Sequence, residues 1–154
     1  MKKKILIIAG GYSNEREISL KTARSVYLEL KKNKKYIIDV AEPDGNFVKK
    51  INTFKPDIAF NLLHGRYGED GYIQAILESQ KIKYTHSGVL SSSLAIDKEI
   101  SKKIYIKNKI LTPKYIKLKF KDFNEKKIIQ EVHKKLKFPV VIKPINEGSS
   151  VCVY

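Results

Sequence analysis

The strongest constraint on the fold is an alternation of short apolar runs with helical periodicity, which starts at the first residues. Residues 4–9 form a nearly continuous apolar run, the pattern of a strand buried on both faces of a parallel sheet. Two glycines end the run, and apolar residues then recur at helical intervals over residues 18–30. Asn14 and Glu17 have the spacing of a capping box for that helix. The chain therefore opens with a strand, a glycine turn and a helix.

The same alternation continues along the first part of the chain. Strands are predicted at residues 36–40, 58–63 and 82–85, with helices over residues 47–54 and around residues 73–77. Such an order predicts a parallel sheet covered by helices on both faces. Parallel sheets of this kind bind ligands at the carboxyl ends of their strands. The expected fold class is α/β.

The pattern changes after about Val89, and a second unit is predicted beyond it. Helices are expected over residues 89–95 and from an N-cap at Asp97. The other predicted elements are an exposed strand at 115–120, a helix at 123–136, a buried strand at 139–143, a glycine loop at 146–150 and the start of a strand at 151–154. Two strands alone are marginally stable, so we expect that the sequence is cut short.

Charge is the most unusual feature of the composition, with 31 basic and 16 acidic residues and a net charge of +15. A surface of this sign attracts nucleic-acid phosphates. Only Arg16, Arg24 and Arg66 are arginines, and lysines are less suited to bidentate recognition of bases and phosphates. The lysines are also scattered along the chain. We expect a solvated lysine surface and no specific nucleic-acid partner.

Cysteine content and hydropathy bear on the compartment. Cys152 is the single cysteine, so no disulfide can form within the chain, which suits a reducing cytosol. No apolar run approaches the ~20 residues that cross a bilayer. The basic start imitates a signal peptide, but its apolar stretch is too short. A cytoplasmic protein without a membrane partner is expected.

The first candidate site follows the first strand, at residues 10–19. A carboxylate beside a helix N-terminus at the end of a parallel strand faces the ligand crevice. Glu15 can there bind a ligand ammonium, and the helix dipole helps to keep its carboxylate ionised. The alternative, which this segment alone favours, is that Glu15 and Glu17 only support the helix start. The glycines do not match GxGxxG, so dinucleotide binding is not supported.

The second candidate site is the segment of residues 63–71, which has three glycines spaced by three residues. Such glycines allow tight turns and close approach of the backbone to a ligand. His64 directly follows a predicted buried strand, at the same sheet edge as the first candidate site. A structural role and a ligand role are both open for this histidine. Glu69 and Asp70 are expected to start the next helix, because acidic residues complement its dipole.

The third candidate site joins Lys98 to the segment of residues 143–151. A glycine–serine loop between two strands offers N–H groups and hydroxyls to phosphate oxygens, and Lys143 before it supplies positive charge. Lys98 falls in the first turn of a helix, where the dipole disfavours a cation; this favours some other purpose for the side chain. Surface lysines and an ordinary turn remain the alternative.

Taken together, the three segments resemble the amino-terminal half of the D-alanine–D-alanine ligases, ATP-grasp enzymes of peptidoglycan precursor synthesis. The most specific string is His-Gly-Arg-Tyr-Gly-Glu-Asp-Gly at residues 64–71, within a matching segment that runs from Asn61 to Gly71, with Gln74 beyond it. The other matching segments are residues 10–19, 87–98 and 138–151. The resemblance implies a Rossmann-like parallel sheet over residues 1–95, followed over residues 96–154 by the incomplete start of an ATP-grasp α+β domain.

The resemblance also implies roles for individual residues. In such ligases the residues matching Glu15 and His64 bind and orient the first D-alanine, and the serine matching Ser149 belongs to the active-site hydrogen-bond network. Glu15 and Ser149 are thus the implied catalytic residues. The lysines matching Lys98 and Lys143 contact the ATP phosphates, beneath a loop that comprises Glu147, Gly148, Ser149 and Ser150.

The implied reaction transfers the γ-phosphoryl group of ATP to the carboxylate of the first D-alanine. The amine of the second D-alanine then attacks the acyl phosphate. The implied ligands are ATP, D-alanine and Mg²⁺ or Mn²⁺, with a family-type homodimer as a further partner. Phosphoryl transfer requires positioning and charge neutralisation more than a protein nucleophile, so the lack of a catalytic cysteine is no objection.

Two departures from the family pattern bear on activity. Cys152 stands where the family has glycine, which matters if that position needs a positive φ. The family's metal ligands and second D-alanine site lie beyond Tyr154, so we expect no ligase turnover from this polypeptide alone. The alternatives are another ATP-grasp ligase of amino acids or D-lactate, and a non-catalytic basic remnant with weak phosphate or nucleic-acid affinity.

Overall fold

The computed structural model describes residues 2–119, 121, 123–148 and 151–154. Its centre is a four-stranded sheet with the strand order β2-β1-β3-β4. All neighbouring strands in it are parallel. The strands are β1 (Lys3–Ile8), β2 (Tyr36–Ala41), β3 (Ile58–Asn61) and β4 (Lys83–Tyr84). This arrangement confirms the α/β fold class predicted from the sequence.

Helices separate the strands and continue after the sheet. They are α1 (Arg16–Lys31), α2 (Phe47–Phe54), α3 (Tyr72–Ser79), α4 (Val89–Ala95), α5 (Lys98–Lys107) and α6 (Glu125–Lys135). Each predicted helix is therefore present; α2 and α4 have the predicted ends, and the ends of the others differ by a few residues. No helix among the described residues is both long enough and apolar enough to span a bilayer.

The core lies on both faces of β1, as its continuous apolar run predicts. Leu6 and Ile8 belong to a cluster that includes buried residues of α2 and α3. Ile7 and Ala9 belong to a second cluster on the other face, against Ala23 of α1. Alternate side chains of a strand point to opposite faces, so the buried part of β1, Ile5–Ile8, is apolar at every position. The helices on the two faces supply the contacts.

The second half of the chain has well-capped helices. The Asp97 carboxylate accepts a hydrogen bond from the Ile100 N–H at 2.9 Å, which confirms it as the N-cap of α5. Asn124 caps α6 in the same way, since its side-chain oxygen accepts a hydrogen bond from the Lys127 N–H at 3.0 Å. Each cap satisfies a backbone N–H that the helix itself leaves unpaired.

The strands predicted for the second half are wrong. Residues 115–119 and 139–143 form no strand, and Phe120 lies outside the described residues. A strand is also predicted to start at residues 151–154, but residues 151 and 152 form a turn. Tyr154 exchanges two backbone hydrogen bonds with Ile142, of 2.8 and 2.9 Å. Val141 and Ile142 are exposed, contrary to the expected burial. A single strand pair without a third strand or a covering helix buries too little to extend.

Candidate functional site

The sheet topology brings the first two candidate segments to one edge. Ile8 at the end of β1 lies in register with Asn61 at the end of β3. Because these neighbouring strands are parallel, the segments that carry Glu15 and His64 both leave from the same edge of the sheet. This is the edge at which parallel α/β sheets bind ligands.

Two serines that the sequence interpretation did not identify join these segments. The Ser13 hydroxyl donates to the His64 carbonyl at 2.8 Å and accepts from the Glu15 N–H at 3.2 Å. The Ser19 hydroxyl donates to the Leu62 carbonyl at 2.7 Å and accepts from the Gly10 N–H at 2.9 Å. A serine just before a predicted helix is a recognised start signal, which could have revealed Ser13.

The predicted capping box between Asn14 and Glu17 is wrong. The helix α1 begins at Arg16, and the Glu15 side chain at its N-cap makes no capping hydrogen bond. The carbonyl of Ser13 accepts the Arg16 N–H at 3.1 Å instead. The Glu15 carboxylate therefore caps no N–H group of α1, whereas Glu17 lies in the first turn, where the helix dipole favours an acidic residue.

The Glu15 carboxylate lies in a narrow space between two glycine backbones. Glu15 is 1 % exposed, and its Oε2 has no hydrogen-bond partner among the described residues. A Cβ added to Gly65 would lie 2.8 Å from this oxygen, and one added to Gly148 would lie 2.9 Å from it. Gly65 has a φ of +64°, so glycine is required there for its conformation as well as for its size.

His64 lies next to Gly65 and offers a second polar atom without a partner. The residue is half-buried, and its Nε2 is buried with no hydrogen-bond partner among the described residues. Buried polar atoms in folded proteins nearly always have a partner. An unpartnered carboxylate oxygen and an unpartnered imidazole nitrogen on adjoining segments are suited to a small ligand that carries a cation and hydrogen-bonding groups.

Lys98 fastens the third candidate segment to α5. Its backbone N–H donates to the Ile145 carbonyl at 3.1 Å, and its Nζ donates to the same carbonyl at 3.2 Å. The Nζ also donates to the Glu147 carbonyl. These contacts explain why a cation is tolerated in the first turn of the helix: the two carbonyl oxygens offset its unfavourable interaction with the helix dipole. They also bring Gly148 to the Glu15 carboxylate.

Positive and negative charges converge on this junction. Burial, followed by the positive charge of Lys143, lowers the pKa of the Lys98 ammonium from its usual value. Glu147, Asp97 and Glu15 act in the opposite direction and favour its charged form. A lysine pair that repels itself in this way attracts a phosphate, because an anion between the two ammonium groups relieves the repulsion. Glu15 is close enough to contribute to the same field.

The structure thus brings Glu15, His64, Lys98 and the loop before Gly148 together at one end of the sheet. Lys143 is exposed and Glu147 is half-buried at the same junction. Ser149 and Ser150 lie outside the described residues, so their predicted roles in catalysis and phosphate binding stay predictions.

The loop after His64 is closed by an acidic residue that was expected to start a helix. The Glu69 carboxylate accepts the Gly65 N–H at 2.7 Å, although the helix α3 begins only at Tyr72. Asp70 accepts the Tyr72 N–H at 3.1 Å and does support the helix start. The expectation is therefore wrong for Glu69 and right for Asp70. Glu69 instead fixes the turn that presents His64.

Metal ligands are a separate question. No group of three or more His, Cys, Asp and Glu side chains that could hold a metal ion is found in the part of the chain that the structure describes. Mg²⁺ prefers several oxygen ligands, carboxylates among them. The described residues do not fit a magnesium site, and no chemical step is assigned to a metal here.

Cys152 adopts the conformation that makes its replacement of glycine costly. Its φ is +50°, a value that costs an L-residue about 1–2 kcal/mol relative to the right-handed region. We expect Cys152→Gly to raise the free energy of unfolding by ~0.5–1 kcal/mol, because glycine removes this strain but adds flexibility to the unfolded chain. Urea denaturation measures the change. A matched Cys152→Ala variant, which keeps the Cβ, should show no gain, and an equal gain in both variants would contradict the explanation.

Comparison with known proteins identifies the family. A family model described as the D-ala D-ala ligase N-terminus matches residues 41–87, and one described as the D-ala D-ala ligase C-terminus matches residues 104–154. The D-alanine–D-alanine ligase of Pelagibacter ubique is 65% identical over 154 residues, which are 100% of this chain and 50% of that protein. The chain therefore spans about half the length of this relative.

Solved structures show the same relationship. The D-alanine–D-alanine ligase of Bacillus anthracis has a TM-score of 0.78 and 37% identity, over 99% of this chain and 48% of that one. The same enzyme complexed with ATP has a TM-score of 0.75 and 36% identity, over 95% and 48%. The VanG D-Ala:D-Ser ligase of Enterococcus faecalis has a TM-score of 0.69 and 29% identity, over 99% and 55%. The chain belongs to the D-alanine–D-alanine ligase family and corresponds to its amino-terminal half.

Proposed function

We propose that this chain supplies the first D-alanine site and part of the ATP site of an ATP-dependent D-alanine–D-alanine ligase. The observation that carries the proposal is a pair of buried atoms, Glu15 Oε2 and His64 Nε2, that have no hydrogen-bond partner among the described residues. The Glu15 oxygen lies beside the backbone of Gly148. Family membership gives this pair its substrate. The product, D-alanyl-D-alanine, is a precursor of peptidoglycan.

The chemistry of D-alanine fits the two atoms. Its ammonium group is a donor of three hydrogen bonds, and Glu15 offers a buried carboxylate that lacks a donor. His64 can hydrogen-bond the amino acid from the adjoining segment. In a site shielded from water such charge-assisted hydrogen bonds are stronger than in solution. The pair therefore fixes the amino acid so that its carboxylate can receive a phosphoryl group.

The nucleotide part of the proposal rests on the junction at Lys98. Lys98 and Lys143 lie close enough to repel one another, and a triphosphate would neutralise both. We assign the phosphate contacts to these lysines and to Glu147, Gly148, Ser149 and Ser150. Residues 1–95 then form the Rossmann-like domain, and residues 96–154 form the first part of the ATP-grasp domain. Glu15 and Ser149 are the proposed catalytic residues of this half.

The proposed reaction joins two D-alanines through an acyl phosphate. The γ-phosphoryl group of ATP passes to the carboxylate of the D-alanine held by Glu15 and His64, and the amine of the second D-alanine displaces phosphate. Since the described residues do not fit a magnesium site, this 154-residue polypeptide is proposed to bind ligands without turning over. Because the reaction consumes ATP, the proposed compartment is the cytoplasm, and the proposed assembly is a family-type homodimer.

Isothermal titration of the purified chain tests this function. We expect D-alanine to bind and L-alanine to bind at least about tenfold more weakly, because inverting the stereocentre breaks one charge-assisted hydrogen bond. Lys98→Met should weaken ATP binding about tenfold, because it removes a cation that the phosphates would meet. The control is Lys34→Met, which removes an exposed lysine between α1 and β2, at the opposite edge of the sheet. Phosphate release in the presence of both ligands should stay at the background rate.

Three results would count against the proposal. Equal affinity for D- and L-alanine would remove the substrate assignment, and equal losses in the Lys98 and Lys34 variants would remove the ATP assignment. Binding to any duplex that falls steeply with salt would favour the basic-remnant alternative.

A ligase with another acceptor is also supported, because the chain resembles a D-Ala:D-Ser ligase. Acceptor choice requires a site that the described residues do not include.

A further inference from the structure

We propose that Asn61 and Gln74 are positioning residues that hold the His64 imidazole in its binding orientation. Both are fully buried amides, 1 % and 0 % exposed, and neither reaches Glu15 or His64 through a hydrogen bond among the described residues. The inference rests on the proposed function only for the identity of the ligand, D-alanine. The positioning itself is argued from hydrogen bonds within this chain.

The two amides meet at one backbone carbonyl. The Asn61 Nδ2 donates to the Gly68 carbonyl at 2.9 Å, and the Gln74 Nε2 donates to the same oxygen at 2.8 Å. A carbonyl oxygen has two lone pairs, so the two donors use its full accepting capacity. Asn61 ends β3 and Gln74 lies in α3. One side chain from the sheet and one from a helix therefore hydrogen-bond to the same peptide group of the connecting loop.

The orientation of the Asn61 amide is determined by its partners. Its Oδ1 accepts the Leu63 N–H at 3.2 Å, and its Nδ2 also lies 3.2 Å from the His86 Nδ1. An inverted amide would place its oxygen against the Gly68 carbonyl and its NH₂ against an N–H. Asn61 thus bonds to the loop on both sides of His64, at Leu63 and at Gly68.

A hydrogen-bonded turn connects Gly68 to Gly65, the residue that follows His64. The Gly65 carbonyl accepts the N–H groups of Gly68 and Glu69, each at 2.9 Å. The Gly65 N–H in turn donates to the Glu69 carboxylate at 2.7 Å. Movement of Gly68 therefore moves Gly65, which adjoins His64 and touches Glu15. The hydrogen bond from the Ser13 hydroxyl to the His64 carbonyl holds the loop from the other side.

Substitutions that keep shape but replace the donor separate positioning from packing. Asn61→Asp and Gln74→Glu put a carboxylate oxygen where an NH₂ group now faces the Gly68 carbonyl, so the loop must retreat. Gln74→Met keeps most of the side-chain volume but has no hydrogen-bond donor. It takes the place of Gln74→Glu in the experiment if an acidic variant fails to fold. The control is Ile51→Val, which shortens a buried side chain of α2 and lowers stability without removing a hydrogen bond of the loop.

The experiment follows the His64 Cε1–H resonance by ¹H–¹³C NMR of the full chain, assigned by its loss in His64→Gln. We expect Asn61→Asp and Gln74→Glu to shift this resonance and to weaken D-alanine binding about tenfold. Ile51→Val should lower the unfolding temperature and change neither quantity. Gln74→Met should show the same two effects as Gln74→Glu, in smaller measure.

Two outcomes are distinguished by this design. If the amide variants unfold at a lower temperature but keep the wild-type His64 resonance, the residues serve stability alone and the proposal is overturned. If the wild-type chain binds no D-alanine, the proposed function fails. The His64 resonance then still decides whether Asn61 and Gln74 position the imidazole.

Discussion

Replacing Glu15 with glutamine will remove most of the affinity for D-alanine without lowering the stability of the fold. The variant keeps the shape of a side chain that is 1 % exposed but removes the negative charge that an ammonium group would meet. Losing a charge-assisted hydrogen bond costs about 1.5–3 kcal/mol, a loss of about 10- to 100-fold in affinity. A buried carboxylate without a hydrogen-bond partner on one oxygen is itself costly, so the midpoint of thermal unfolding should not fall.

The matched control is Glu17→Gln, two residues further along the chain. Its carboxylate is 77% exposed and makes a 3.4 Å ion pair with Arg16, an interaction worth little at a surface. Titration with D-alanine and thermal unfolding of both variants check the prediction. If both lose affinity equally, the effect is one of net charge. If only Glu15→Gln unfolds at a lower temperature, the carboxylate supports the fold and not a ligand.

Most of the fold could be predicted from the sequence because, in the first half of the chain, the local helix and strand patterns agree with the burial that the folded sheet requires. The strand β1 is apolar from Ile5 to Ile8 and is covered on both faces. Alternating strands and helices then leave one topology class. The second half failed for the opposite reason. Residues 139–143 have the composition of a buried strand, but Val141 and Ile142 are exposed, and among the described residues Ile142 exchanges backbone hydrogen bonds with Tyr154.

The candidate site could be predicted only as far as strand order allows. Parallel strands require that segments following β1 and β3 meet, so the proximity of Glu15 and His64 to one sheet edge follows from topology. The contacts themselves do not. That Gly148 reaches Glu15 depends on the bonds from Lys98 to two carbonyls, and no pattern in the sequence specifies them. Ser13 and Asn61 were likewise missed as anchors, because short polar residues near turns are common.

Replacing Gly68 with alanine will disrupt both the fold and the site, because a Cβ added there meets the side chain and the backbone of Leu63. The added Cβ would overlap the Leu63 Cβ and lie 3.0 Å from the Leu63 carbonyl carbon. Backbone cannot give way as a flexible side chain can, so the loop must shift and strain its hydrogen bonds. Overpacking of this kind costs about 1–3 kcal/mol. A loss of 1 kcal/mol lowers the midpoint of thermal unfolding by about 2–4 °C for a chain of this size, so the midpoint should fall by several degrees.

The same shift should weaken D-alanine binding, because the carbonyl of Gly68 is the point at which Asn61 and Gln74 hold the loop. Gly45→Ala is the matched control, since a Cβ added there meets nothing within 4 Å. Alanine at such an open position reduces the freedom of the unfolded chain and is expected to be neutral or slightly stabilising. Calorimetry and D-alanine titration of the two variants measure both effects. Equal unfolding temperatures would show that the loop accommodates the methyl group, and that its close contact with Leu63 does not fix the position of His64.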